Sequence, residues 1–129
     1  MSLEQPIPVI KGYWYLATPY SKWSHGLEDA NIVAQRLAAM LLAIGVKVYS
    51  PIAHTHGIAL ASSMDPLSHD IWMPADQPLF NAAYGLLVAD LPGWKTSKGV
   101  DMEIEWARQM HKPIWVIDPE TLAIRQLQR

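Results

Sequence analysis

The sequence predicts an α/β architecture in three layers, a parallel sheet of four to five strands with helices on both faces. Two observations predict it. Short apolar runs alternate with segments of helical period, and strands separated by helices pair in parallel through right-handed crossovers. The runs are apolar along their length, as expected of strands covered on both faces. The chain has 129 residues and is 50% hydrophobic, which is one domain's length with enough apolar surface for a core. A single domain over residues 1–129, Rossmann-like or flavodoxin-like, is the expectation.

Tyr13-Trp14-Tyr15-Leu16-Ala17 reads as the first strand, and Thr18-Pro19-Tyr20-Ser21 as the loop that ends it. From Leu27 to Ile44, residues Ile32, Val33, Leu37, Met40, Leu41 and Ile44 recur at helical spacing, and Gly45 stops that helix. Val46–Ser50 is the second strand, closed by Pro51. Residues 51–66 read as a long loop, of a length that often carries function. A helix is expected from Ser68 to Asn81, weakened or divided by Pro74 and Pro78. Tyr84–Ala89 is the third strand, Gly99–Met110 the next helix and Pro113–Ile117 the fourth strand. Beyond Asp118 the tail reads as a short helix, capped by Asp118 with Pro119 at its first position, or as an irregular strand. Ligands of such sheets bind outside the carboxyl ends of the strands. The loops Thr18–Ser24, Pro51–Met64 and Leu91–Gly99 therefore matter most.

Composition narrows the function classes. A net charge of −2 without a basic cluster argues against polymeric nucleic acid as a partner. Without cysteine there is no disulfide or thiolate site, which suits a reducing compartment. No uninterrupted apolar run reaches about 18 residues, so no membrane span is expected. No signal-peptide pattern opens the chain, and a cytoplasmic location is expected. Six tryptophans are many for this length and point to a ligand pocket or a subunit contact.

The most telling stretch is Leu91-Pro92-Gly93-Trp94-Lys95-Thr96-Ser97-Lys98-Gly99-Val100-Asp101-Met102-Glu103. An apolar strand ends in a Pro-Gly turn, and Ser97 and Gly99 lead into a helix. Backbone N–H groups at a helix start bind anions. Glu103, one turn in, can face whatever that loop holds. An anion cradle beside a fixed carboxylate suits a nucleotide or phosphosugar attacked at its C1 carbon.

With Tyr15-Leu16-Ala17-Thr18-Pro19-Tyr20 ending the first strand, and Pro92-Gly93-Trp94 followed by Ser97, Gly99 and Glu103, the chain resembles the nucleoside 2-deoxyribosyltransferase superfamily, including its deoxynucleoside-monophosphate N-glycosidases. The resemblance runs from about Tyr13 to Ile117. It implies a five-stranded parallel sheet and a glutamate that attacks the anomeric carbon. The base then leaves, and water or a second base accepts the sugar. By motif, Glu103 matches the nucleophile, and Ser97 and Gly99 match the loop that holds a 5′-phosphate. Tyr15 or Tyr20 matches the early tyrosine near the nucleophile, Tyr15 the better. Asp76, with Asp70 as its rival, matches the acid that assists the leaving base. Tyr84 stands where the family often has an acidic residue. The segment around His54, His56 and Trp72 has no counterpart.

Each candidate has a plainer alternative. Glu103 can be a surface residue favouring a helix start, and Glu105, two residues on, should face elsewhere. Ser97 and Gly99 can be a plain N-cap, which is also an anion site. Asp76 can cap backbone beside Pro78, and Asp90 can form the turn before Pro92. Gly93 and Trp94 are placed with the substrate loop, yet Trp94, like Trp23 and Trp72, can be packing. His54-x-His56 lacks a third ligand at familiar spacing, so no metal is expected. Both read as loop histidines, in solvent or against base or sugar, and His69 is equally open.

The expected function is cleavage or transfer of an N-glycosidic bond of a nucleoside or nucleoside 5′-monophosphate, without cofactor. Two alternatives stand beside it. One is a nucleotide or nucleotide-sugar binding module without turnover. The other is a phosphoribohydrolase, although Trp94 and Ser97 replace the Gly and Thr of that loop pattern. A homo-oligomer, dimer or tetramer, is expected, with the helix from Leu27 to Ile44 at its interface.

Overall fold

The computed structural model describes residues 3–127. Strand β1 (Trp14–Ala17) leads to helix α1 (Gly26–Ala43), followed by β2 (Val48–Tyr49), α2 (Pro51–Leu60), α3 (His69–Ala82) and β3 (Gly85–Ala89). A 3₁₀ turn (Trp94–Thr96) precedes α4 (Lys98–Gln109), β4 (Ile114–Ile117) and β5 (Ile124–Gln126). The five strands form one sheet in the order β2-β1-β3-β4-β5. This is the doubly wound order with its reversal between β1 and β3.

The sheet is covered on both sides because its strands alternate. In β1, Trp14 and Leu16 face a cluster with Leu37 and Leu41 of α1. Tyr15 and Ala17 face the other way, against Phe80 of α3 and Val100, Ile104 and Ala107 of α4. Both halves of the alternation are apolar, which produces the continuous runs in the sequence. The three-layer α/β expectation therefore stands.

Three expectations need correction. The sheet is not wholly parallel: β5 pairs antiparallel with β4, Val116 opposite Arg125. Of the two courses open to the tail, the strand forms and the helix does not: the Asp118 carboxylate accepts N–H bonds from Glu120 and Thr121 at 2.8 and 3.2 Å as a cap would, but Leu122 takes φ 62° and turns the chain into β5. Gln5 then bridges the outer side of Ile124. Residues 51–60 are helix, not loop. Pro51 is that helix's first residue, and the Ser50 hydroxyl accepts the Ala53 N–H at 3.2 Å as its cap. Finally, α3 is undivided by its prolines. Pro74 and Pro78 lie four apart on an exposed stripe, where water can satisfy the carbonyls that lose a partner.

Gly85 shows how tightly β3 is held. A Cβ there would lie 2.8 Å from the Pro113 carbonyl oxygen and 2.9 Å from the Trp14 ring. Gly85→Ala should therefore destabilise the fold by about 1–3 kcal/mol. Gly57→Ala, in open space on α2, should instead stabilise it by about 0.5–1 kcal/mol. Urea unfolding of the two variants beside wild type measures both signs.

Candidate active site

The reversal between β1 and β3 opens a cleft at the carboxyl ends of the strands, where this sheet order places ligands. Thr18 and Tyr20 after β1, Ser97 and Gly99 at the start of α4, and Glu103 and Asp76 from α4 and α3 all line it. Trp72 and Met73 of α3 wall one side, and Pro51 and Thr55 of α2 another. The cavity volume is ≈ 60 Å³. At roughly 10–15 Å³ for each water, that admits a small polar group or one ring edge. A larger ligand would extend outward past Pro66 and Leu67, which also line the mouth.

Glu103 occupies a position that the pattern of α4 assigns to the core. The buried residues of that helix are Val100, Glu103, Ile104 and Ala107, an i, i+3, i+4, i+7 stripe. Glu103 is 6% exposed. Its neighbour Glu105 is exposed and pairs with Arg108 at 3.7 Å. Burial penalises an ionised carboxyl and pushes Glu103 up to about 8; the nearby Tyr15 hydroxyl opposes this and Asp76 adds to it. Asp76, 5% exposed, is raised to about 6 by burial, against the opposing effects of Tyr49 and His54.

The tyrosines complete this corner. The Tyr49 hydroxyl donates to Asp76 Oδ1 at 3.3 Å. The Tyr15 hydroxyl is fully buried beneath Glu103 without a formed hydrogen bond, while the charge of Glu103 still acts on it. Burial first, then the carboxylates, raise both phenols above their ordinary value. Neither is a base at rest, and Tyr49 is the one that donates to a carboxyl. Burial favours the protonated form of both carboxyls, and the two titrate as a coupled pair.

The start of α4 forms part of the rim of the cleft. The Ser97 hydroxyl caps α4 by accepting the Val100 N–H at 3.3 Å. Gly99 has space above it, its nearest contact for a Cβ being Met73 at 3.8 Å. The Thr18 hydroxyl is buried beside them without a partner.

Several expected residues lie elsewhere. Asp70 is exposed in the first turn of α3 and does not line the cleft, so the geometry separates it from its rival Asp76. Gly93 and Trp94 border a separate shallow depression. Gly93 takes φ 86° to start the 3₁₀ turn, and the Trp94 indole donates to Asp90 at 3.2 Å. Their role is to shape the loop that carries Ser97. Trp23 donates to Asp29 at 2.7 Å.

His54 and His56 stand on a helix, not in a loop, and two positions apart they face different ways. The ring of His54 lies 5.8 Å from that of Tyr49. His56 is 5% exposed, and both of its ring nitrogens are engaged: Nδ1 with the Tyr20 hydroxyl at 2.6 Å, Nε2 with Glu28 at 2.8 Å. The two histidines do not converge on a metal site. The Tyr20–His56–Glu28 array and the place of Tyr49 and Thr18 were not legible in the sequence, because each depends on contacts between distant segments. Ser50-Pro51 was the one local signal for α2.

Residues 12–118 match the family model described as Domain of unknown function (DUF1937), and every cleft residue named above lies in that stretch. No curated protein matches the chain. Among the described residues, no helix is long and apolar enough to cross a membrane.

The buried carboxyls set a pH dependence. Between 4.5, the ordinary value of Glu103, and about 8, the folded chain holds a proton that the unfolded chain has lost. Stability is therefore greatest below that window and falls as pH rises through it. Glu103→Gln is uncharged and of the same shape. It should flatten this loss and exceed wild type in stability at pH 8 by at least about 1.4 kcal/mol, one pKa unit's worth. Urea unfolding at pH 5 and pH 8 measures it, and parallel pH slopes for the two proteins would rule it out.

Proposed function

We propose that this chain, which belongs to the DUF1937 family, cleaves or transfers the N-glycosidic bond of a nucleoside or nucleoside 5′-monophosphate. One observation carries the reading: Glu103, a carboxyl on a core stripe, opens into a cleft beside a second buried carboxyl and below a helix N-terminus. A carboxylate held within reach of C1′ is the nucleophile such chemistry needs. The resemblance to the nucleoside 2-deoxyribosyltransferases supports the same role.

The steps follow from where the proton sits. With the pair's proton on Asp76, the Glu103 carboxylate attacks C1′ and a C1′–O bond forms. The C1′–N bond breaks, its electron pair goes to the base, and Asp76 gives the base the proton. Tyr15 and Tyr49 keep their protons and orient the two carboxyls. The Ser97–Gly99 turn takes the 5′ end, where a phosphate meets free N–H groups. Water or a second base then attacks C1′ and frees Glu103. Because burial favours the protonated form of Glu103, bound ligand must leave that carboxyl ionised for attack.

The burial of Glu103, which favours its neutral form, also supports a second reading, a binding module. A neutral Glu103 is a hydrogen-bond donor in the resting cleft, which a nucleotide sensor can use without turnover.

The two readings part in one screen. Nucleosides and their 5′-monophosphates, ribo and deoxy, are incubated with wild type, Glu103→Gln, Asp76→Asn and Glu105→Gln, and free base is followed by liquid chromatography. Base release by wild type and Glu105→Gln, lost in Glu103→Gln and lowered about 10²–10⁴-fold in Asp76→Asn, is the expected result. No release from any compound, with thermal shifts by nucleotide that survive Glu103→Gln, supports the binding module instead.

A homo-oligomer is part of the proposal. Met40, Leu42 and Ile44 leave apolar surface exposed at the end of α1. Light scattering at micromolar concentration should give a dimer or tetramer, and a monomer there removes this element.

A further inference from the structure

The cleft has a second proton-handling array that the Glu103 chemistry does not use. Tyr20 lines the cleft, its hydroxyl lies 2.6 Å from His56 Nδ1, and His56 Nε2 lies 2.8 Å from Glu28 Oε2. The three residues come from the β1–α1 loop, α2 and α1. His56 is 5% exposed, whereas the Glu28 side chain is 64% exposed. A line of hydrogen bonds thus runs from the cleft, through a buried imidazole, to solvent.

The donors and acceptors give the line a direction. An ionised carboxylate only accepts, so Nε2 of His56 carries the proton and donates to Glu28. In the neutral ring Nδ1 then has a free lone pair, and the Tyr20 O–H donates to it. The Tyr20 proton therefore points away from the cleft, and its oxygen lone pairs are left for a ligand O–H. A nucleophile-side hydroxyl, an imidazole and an orienting carboxylate in sequence are the parts of a base-activated relay.

We propose that Tyr20 is the general base that activates the water resolving the glycosyl–Glu103 ester, with His56 and Glu28 as its relay, which makes the protein a hydrolase. This rests on the N-glycosidic reading above. In the step, the water oxygen attacks C1′ and the C1′–O bond to Glu103 breaks, its electron pair returning to the carboxylate. The water proton passes to Tyr20 Oη as the Tyr20 proton passes to His56 Nδ1. The imidazolium is held by Glu28, which returns the extra proton to solvent. Tyrosinate is never a resting state, since burial and the Glu28 charge both raise the Tyr20 hydroxyl above its ordinary value. The transfer is concerted, and Tyr20 contacts water while His56 and Glu28 act through it.

Two measurements test this on the full chain. The first needs no substrate: long-range proton–nitrogen NMR of the histidines in wild type and Tyr20→Phe. The expected spectrum has His56 neutral with its proton on Nε2, and the Nδ1 signal alone moving in Tyr20→Phe. A proton on Nδ1, in either a neutral or a charged ring, overturns the relay whatever the substrate proves to be. The second uses the 2′-deoxynucleoside 5′-monophosphates in rapid quench. Tyr20→Phe and His56→Gln should still release one base for each chain while steady turnover falls about 10²–10⁴-fold. Azide, which attacks C1′ without giving up a proton, should restore turnover to Tyr20→Phe. Loss of the first release together with turnover, or no rescue by azide, would show that the array only braces the cleft. If wild type releases no base at all, the glycosidic reading falls with the step assigned here, and the nitrogen spectra then decide the direction of the array alone.

Discussion

The burial of one carboxyl, Glu103, is the constraint on which the site depends. A helix that packs on a sheet reserves its i, i+3, i+4, i+7 stripe for apolar side chains, and here that stripe includes a glutamate. An isolated ionised carboxyl cannot be kept there without large desolvation cost. Burial accordingly pushes the group toward its protonated form, and the Tyr15 hydroxyl beside it opposes that push. Asp76 is raised for the same reason, with Tyr49 and His54 holding it lower than Glu103. Two carboxyls with separated proton affinities in one cleft are the raw material of acid and base roles. The arrangement costs stability above the acid range, which a purely structural stripe of leucines would not.

The sheet order turns that local feature into a site. Because the chain reverses direction between β1 and β3, the loops after those strands diverge and leave a gap at their carboxyl ends. Glu103 reaches it from α4 and Asp76 from α3, the two helices that cover one face. The loop after β1 brings Tyr20 from the other side. The Gly93–Ser97 segment contributes by its shape: a left-handed glycine and a 3₁₀ turn aim Ser97 at the cap position of α4. Trp94, turned back onto Asp90, braces this loop from outside the cleft.

What was legible in the sequence was whatever depends on local pattern. The strands at Trp14–Ala17, Gly85–Ala89 and Ile114–Ile117 announce themselves by unbroken apolar runs, and α1 by its period. Ser97 as a cap and Glu105 as an outward neighbour follow from helix geometry alone. The failures have physical reasons. In α2, Pro51 ends a strand and also opens a helix, and the Ser50 cap that decides between the two is a single residue. The period rule is also weak there, since α2 buries polar Thr55 and His56 alongside Ala59. The prolines of α3 were expected to break a helix that tolerates them on its wet side. The antiparallel β5 follows from a turn set by the Asp118 side chain, too short to carry a pattern of its own. The Tyr20–His56–Glu28 array joins residues 36 and 28 positions apart, and no local rule connects such positions.

The two arrays differ in a way that bears on how the cleft works. Glu103 and Asp76 are buried in the lining of the cleft, and in the proposed reaction they pass a proton between themselves and to a departing base. The Tyr20 line ends at an exposed carboxylate and can exchange protons with bulk water. A reaction that gives a proton to a leaving base and later takes one from water needs both kinds of group, in separate places. If both stood on one buried pair, each turnover would have to re-load that pair through the ligand's own path. In the proposed cycle Asp76 takes a proton back from solvent through the emptied cleft, and burial favours that protonated form. The base side is re-set by contact with solvent.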